Sequence, residues 1–413
     1  MAAIVGLRGT GDWGTDERPK NFRESILWRN PNGTALLTAL TAKMKKQTVD
    51  DPEFAWWEEE LNPIRLLVTT AVTTGQTTVA FDGGDAQDLV IGDILLVEGT
   101  EDVTYSQELV RVTAVTSATA ISISRAFGGS TAATIADNSY MTRIGSAFEE
   151  GSAKANATSQ NPTKFSNYAQ IFKKSYEITG TALETKARTG DPLKNDKKRK
   201  MFHLAVDMEY AFLFGKKAEV TGGGGKPLRS TGGLMYYLAQ AYAAGATHCI
   251  KLWTTTPTED EILDAVYKVW DYDTMDGGNP TERIVFAGNG FINRLNKLAR
   301  ASASSRIEHT ETIKVYGMEL QKWVLPQGTL YIKSHPLMNA HPRFTNSAFV
   351  LNPNGMIYRP VKNRDIKVDE GPGGKGIQTP GQDAKMGQWL GEVGIEWHHL
   401  KTMCYLGNFG NQP

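Results

Sequence analysis

The sequence predicts an α+β fold that carries an inserted all-β module, and three observations predict it. Residues 66 to 147 form a lysine-free stretch dominated by Thr, Val, Ala and Gly in short alternating runs, and no lysine occurs between Lys46 and Lys154. Asp191-Pro192 then opens a long segment with helical spacing of its apolar residues. After residue 356 the chain reads largely as strands separated by Gly- and Pro-rich loops.

Taken in order, residues 1–30 are rich in Gly, Asp, Arg and Pro, with Trp13 and Phe22 isolated and no period that would bury one face. They read as an extended arm. In 31–65, Leu36, Leu37, Leu40 and Met44 recur on one helical face after the Asn32-Gly33 turn, which predicts a short helix. EFAWWEEELNP follows, with Phe54, Trp56 and Trp57 beside Glu58, Glu59 and Glu60; so much apolar area is costly in water unless something covers it.

In 66–147 the runs TTVAF, DILLVEG, ELVRVTAV and TAISISRAF are separated by GGD, EGTED and FGGST, which predicts a small barrel or sandwich. The stretch holds nine acids against three arginines, so 9 − 3 leaves a net charge of −6. Strand-like alternation resumes in 148–181. Within 182–224, Asp191 is an N-cap with Pro192 at the first helical position, and the helix is expected to reach about Lys217, roughly 37 Å at 1.5 Å per residue. Phe202, Val206, Met208, Phe212 and Leu213 are expected inside, and Gly222–Gly225 is expected to be a flexible joint. Residues 225–355 are mixed: Thr258 and Glu261 form a capping box, RIVFAGNGFINRLNKLAR reads as strand, turn and helix, and strands follow. The last stretch, 356–413, is expected to be mainly sheet.

Composition excludes several classes. Lys plus Arg equals Asp plus Glu at 45 each, which argues against a nucleic-acid binder held by a large basic field. Apolar runs are too short for a membrane span, and the first residues lack a secretory pattern. Cys249 and Cys404 have no ligand spacing, so neither a disulfide framework nor a zinc site is expected. GGGGK at 222–226 is no phosphate loop, because Val220 stands where the first glycine belongs and Pro227 replaces the Ser or Thr. AGNG at 287–290 is read as a tight strand-to-helix turn rather than an anion site. His335 and His341 are expected in a turn or interface, and His398 and His399 on opposite faces of a strand. No catalytic, cofactor or metal residue is assigned, and the chain is not expected to be an enzyme. The basic run Lys194 to Lys200, with Lys197, Lys198, Arg199 and Lys200 together, reads first as a solvated helix face. Its charge also opposes the macrodipole of the helix it starts, so acidic partners from outside the helix would help, and Glu58–Glu60 or the acidic β module of a neighbouring copy are the candidates. Phe54, Trp56, Trp57 and these charged residues are the candidate inter-subunit contacts.

The segments NFRESILWRNPNGTALLTALTAKM, GDILLVEGTEDVTYSQELVRVTAV, ISRAFGGSTAATIAD and NPTKFSNYAQIFKKSYEITGTAL resemble those of tailed-bacteriophage major capsid proteins with the Hong Kong 97-like (HK97-like) fold, in the subgroup with a β-rich insertion. The resemblance implies an amino-terminal arm (1–30), an extended β-hairpin loop that starts in 31–65 and returns in 148–181 around the module, a spine helix of a peripheral domain in 182–224, an axial domain in 225–355, and peripheral return strands in 356–413. It implies self-assembly into pentamers and hexamers of an icosahedral head around double-stranded DNA touched only non-specifically. Portal, scaffolding and decoration proteins are implied partners, no membrane or cofactor is, and assembly would occur in the host cytoplasm. The alternative is another virion protein, a tail or decoration component whose β module binds.

Overall fold

In the computed structural model the described residues are 45–59, 64–83, 85–98, 107–154, 156–157, 159, 161–185, 190–272, 281–301, 312–315, 318–371 and 381–408. The arm at 1–30 and the helix expected over residues 34–44 lie outside them. The chain divides into two compact units, Trp57–Lys164 and a second built from the described residues on either side of it.

Strand β1 (Glu53–Glu58) leads into the first unit, whose strands are β2 (Arg65–Leu67), β3 (Thr78–Ala80), β4 (Asp93–Val97), β5 (Leu109–Ser117), β6 (Ala120–Ser124) and β7 (Tyr140–Ser146). They form an antiparallel sheet in the order β2-β7-β4-β5-β6-β3. Its outer strands meet: Val68 bridges Phe81, Thr69 N donates to Ala80 O at 3.0 Å, and Asp82 N donates to Leu67 O at 3.1 Å. The module is therefore a closed barrel. Period-two alternation turns Leu66, Val79, Leu95, Val97, Val110, Val112, Ile121, Ile123 and Met141 into its filled interior. Among its described residues the two outer strands of the module are thus paired with each other rather than left open.

The second unit resumes with β8 (Thr163–Tyr168), β9 (Gln170–Thr179), α1 (Gly180–Glu184) and α2 (Pro192–Phe214). Asp191 caps α2 by accepting from Leu193 N at 2.9 Å and Lys194 N at 3.2 Å, with Pro192 in the first turn. Helix α2 buries Leu204, Met208, Glu209, Phe212 and Leu213. Phe202, expected inside, is instead 36% exposed, because the buried stripe follows 204, 208 and 212. β10 (Ala218–Thr221) and β11 (Pro227–Ser230) pair as an antiparallel hairpin. Gly222–Gly225 is thus the turn of a hairpin and not a joint, with Gly222 N donating to Lys226 O and Gly225 N to Gly222 O.

The remaining elements are α3 (Leu234–Ala243), β12 (Ile250–Leu252), α4 (Glu259–Val266), β13 (Glu282–Ala287), α5 (Asn289–Ala301), β14 (Thr312–Val315), β15 (Met318–Val324), β16 (Thr329–Ser334), α6 (Pro336–Ala340), β17 (Ala348–Leu351), β18 (Met356–Pro360), β19 (Lys367–Asp369), β20 (Ala384–Trp397) and β21 (Cys404–Gly407). A mixed seven-stranded sheet runs β12-β21-β17-β13-β16-β15-β14. β13 is buried on both faces: Ile284 and Phe286 join one core with Phe349 and Leu351, while Val285 and Ala287 join another with Ala348 and Val350. The last strand, β21, leaves the other strands after residue 356 and enters this sheet.

β20 is the axis of the second sheet, paired with β9 along Ala384–Val393 and with β18 along Val393–Trp397. Helix α2 packs on β9 and β20, where the rings of Phe172 and Phe212 meet edge-on at 6.3 Å. Asn167, fully buried, ties three segments together. Its amide donates to Gly232 O at 3.0 Å and Ile395 O at 2.9 Å, and its oxygen accepts from Gly232 N at 2.7 Å and Tyr168 N at 2.8 Å. No helix among the described residues is long and apolar enough to cross a membrane.

Candidate functional site

The motifs that suggest small-molecule chemistry are consumed by the fold. At the start of α5, Asn289 N donates to the Asn339 side chain at 2.6 Å and Phe291 N to Thr345 O at 3.0 Å, so those amides are not offered to an anion. His335 sits in the one-residue connection between β16 and α6, as a turn residue, but it is no interface residue: it is fully buried, and its Nε2 lies 2.6 Å from Oε1 of the equally buried Glu209 on α2. His341 accepts from Arg343 N at 3.2 Å and lies against the Phe344 ring. His398 and His399 are not on a strand. β20 ends at Trp397, His399 adopts a left-handed backbone at φ 52°, and His398 Nε2 sits 2.9 Å from Glu396 Oε2.

Among the described residues no group of three or more His, Cys, Asp or Glu side chains could hold a metal ion. Cys249 and Cys404 are free and buried. Burial pushes the Cys249 thiol up to about 11 and raises that of Cys404 as well, which keeps both as unreactive thiols near neutrality.

The candidate contact residues separate into inner and outer groups. Strand alternation in β1 points Phe54 and Trp56 inward, each 6% exposed. Trp56 stacks on Phe165 at 6.0 Å and on His398 at 5.8 Å, and Gly394 leaves room for the Phe54 ring, which an added Cβ would meet at 2.7 Å. Phe54 and Trp56 are therefore core residues and not inter-subunit contacts, because their own chain covers them. Trp57 faces the other way and is 63% exposed, Glu58 is half-buried, and Glu59 is exposed. Glu60 lies outside the described residues.

The basic run divides similarly. Lys197 pairs at 2.7 Å with Glu370 of its own chain, and Glu370 also accepts from the Tyr176 hydroxyl at 2.7 Å. The hydrogen bonds from Lys197 and Tyr176 hold the Glu370 carboxyl below the usual carboxylate range. The Lys197 carbonyl accepts from the Trp389 indole at 3.0 Å, so this residue fastens α2 to β20. An acid for Lys197 thus comes from within the chain rather than from a neighbour. Lys198 and Arg199 are exposed and Lys200 is half-buried. Met201 and Phe202 beside them are 50% and 36% exposed. What stays on the surface is an aromatic beside an acid, Trp57 with Glu59, and an apolar pair beside bases, Met201 and Phe202 with Lys198 and Lys200. Such pairings suit association between macromolecules rather than catalysis.

Among solved structures, a cyanophage A-1(L) capsid subunit is similar at 9% identity and a TM-score of 0.46, over 96% of this chain and 99% of that one. A Mycobacterium phage Bobi structure is similar at 8% identity and a TM-score of 0.44, over 95% of this chain and 96% of that one. The major capsid protein of Pseudomonas phage PaMx41 is 28% identical over 404 residues, 96% of this chain and 93% of that protein. A family model described as SU10 major capsid protein matches residues 7–409. With a match across nearly its whole length, the chain belongs to the SU10 major capsid protein family and is a structural protein of a phage capsid.

Proposed function

We propose that this subunit assembles, as pentamers and hexamers, into an icosahedral head of HK97-like design that encloses double-stranded DNA. The observation that carries the reading is the 23-residue helix α2 laid along the β9–β20 pair, from which the chain departs after Trp56 and comes back at Phe165. In this reading α2 is the spine, the stretch from β1 through β9 is the extended loop interrupted by the barrel, residues 225–355 form the axial domain, and residues from 356 return to the peripheral domain. Neutral overall charge suits a container whose wall must release its DNA. Its role is structural and not catalytic. Portal, scaffolding and decoration proteins are its other partners, and assembly takes place in the host cytoplasm. Electron microscopy of the purified chain is expected to show closed shells; only monodisperse monomers at high concentration would overturn the proposal.

The surface residues give this a finer form. Glu59 beside Trp57 on one copy faces Lys198 and Lys200 on the next. Glu59→Lys is expected to lower particle yield while leaving the subunit folded, and adding Lys198→Glu is expected to restore it. Full yield from Glu59→Lys alone would remove this contact from the scheme.

A further inference from the structure

Two apolar features among the described residues of the second unit complement each other. One is a hollow of about 200 Å³ between α4 and the β15–β16 turn, lined by Leu263, Tyr267, Trp270, Trp323 and Leu325 with Glu259 beside them. The volume is below the roughly 300–1,000 Å³ of small-molecule pockets. The Trp270 indole N–H is already taken by Thr281 O at 3.1 Å, so the hollow has little polar chemistry with which to orient a ligand. It suits protruding apolar side chains better. At its lip Val324 is 58% exposed and Tyr267 39%.

The other feature is the β10–β11 hairpin. Val220 stands opposite Leu228 across its two strands, and the pair is 53% and 60% exposed. Cross-strand partners on one face offer a single apolar knob. Lys226, at the turn, is exposed and has no ion pair among the described residues. Because knob and hollow are both uncovered in the same chain, neither is satisfied by the other within one copy.

We propose that the hairpin of one copy seats Val220 and Leu228 in the hollow of a second copy, with Lys226 facing Glu259. Apolar surface meets apolar surface, and the one unpaired cation at the turn meets the carboxylate beside the hollow. The two patches differ, so the contact is heterologous: each copy gives a knob and accepts one, and head-to-tail repetition builds a ring where the rotation between copies closes. The second copy in this scheme rests on the capsid reading above.

The test uses Leu228→Cys and Val324→Cys, singly and together in the full chain. Assembled particles are treated with a diazene oxidant; two thiols give up two protons and two electrons to become a disulfide, and the diazene becomes a hydrazine. Cys249 and Cys404 are buried and stay out of the reaction. The double variant is expected to give a ladder of covalent multimers on a non-reducing gel, and each single variant only monomer. Lys226→Glu is expected to lower particle yield several-fold, and adding Glu259→Lys to restore it. Particles of normal appearance with no ladder and no effect of Lys226→Glu would overturn the proposal, as would dimers from Leu228→Cys alone. If the unsubstituted chain makes no particles by microscopy, it is the capsid reading that fails, and the contact falls with it.

Discussion

The barrel is staked on one buried ion pair. Glu108 is fully buried and the Arg125 side chain is 8% exposed; they meet through Arg125 Nε to Oε1 at 2.6 Å and Nη2 to Oε2 at 2.7 Å. The carboxylate also accepts from Ala126 N at 3.2 Å and Ala133 N at 2.9 Å. The guanidinium in turn donates to the carbonyls of Thr73, Gln76 and Ala133. Glu108→Ala would strand a buried guanidinium and two amides, and breaking such a pair costs about 3–5 kcal/mol. Hydrogen exchange of the intact chain reads this directly: protection in β5 and β6 is expected to fall by roughly a hundredfold to several thousandfold, at about 1.4 kcal/mol per tenfold. A loss below about tenfold would mean that solvent already reaches the pair and would refute the reasoning. The same site has a pH signature. Burial opposes ionisation of Glu108, but Arg125 and the two amides outweigh it and hold the carboxyl below its ordinary value of 4.5. A carboxyl lowered in the folded state contributes fully above the unfolded value and loses that contribution as pH falls through the folded one. Barrel protection is therefore expected to decline below about pH 4.5, and Glu108→Gln to flatten that limb.

Three further outcomes follow from the geometry. Asn167→Ala orphans two carbonyls and two amides in the core of the second unit and is expected to cost more than about 3 kcal/mol in urea unfolding, at about 1–3 kcal/mol per group; a loss under about 1 kcal/mol would contradict the hub. Gly288→Ala drives a methyl into the Thr345 backbone at the start of α5 and is expected to yield insoluble chain, whereas Gly224→Ala, with nothing within 4 Å of the added carbon, leaves yield unchanged. Iodoacetamide at pH 8 is expected to label neither Cys249 nor Cys404 in the native chain and both in denaturant; rapid native labelling of either would show that the thiols are not sealed.

Local signals were legible in the amino-acid order wherever their partners lie within a few residues. Asp191 starts α2 by accepting from amides two and three positions on, with Pro192 already at the φ of the first turn, and the Thr258–Glu261 capping box forms as its spacing demands. Alternating Val, Ile and Thr marked the strands of the barrel, because period two is a property of a single strand. The same alternation in β1 was hidden by its three aromatics, which look like one patch until burial separates Phe54 and Trp56 from Trp57.

Tertiary structure alone decided what joins distant segments. Closure of the barrel at Val68 and Phe81, the approach of Glu209 to His335 across 126 positions, the capture of Lys197 by Glu370, and the entry of β21 into the seven-stranded sheet leave no periodic trace. A helix cap or a strand face is set by neighbours along the chain. These contacts form only when loops of tens to hundreds of residues close, and which closure wins depends on the packing of the whole core.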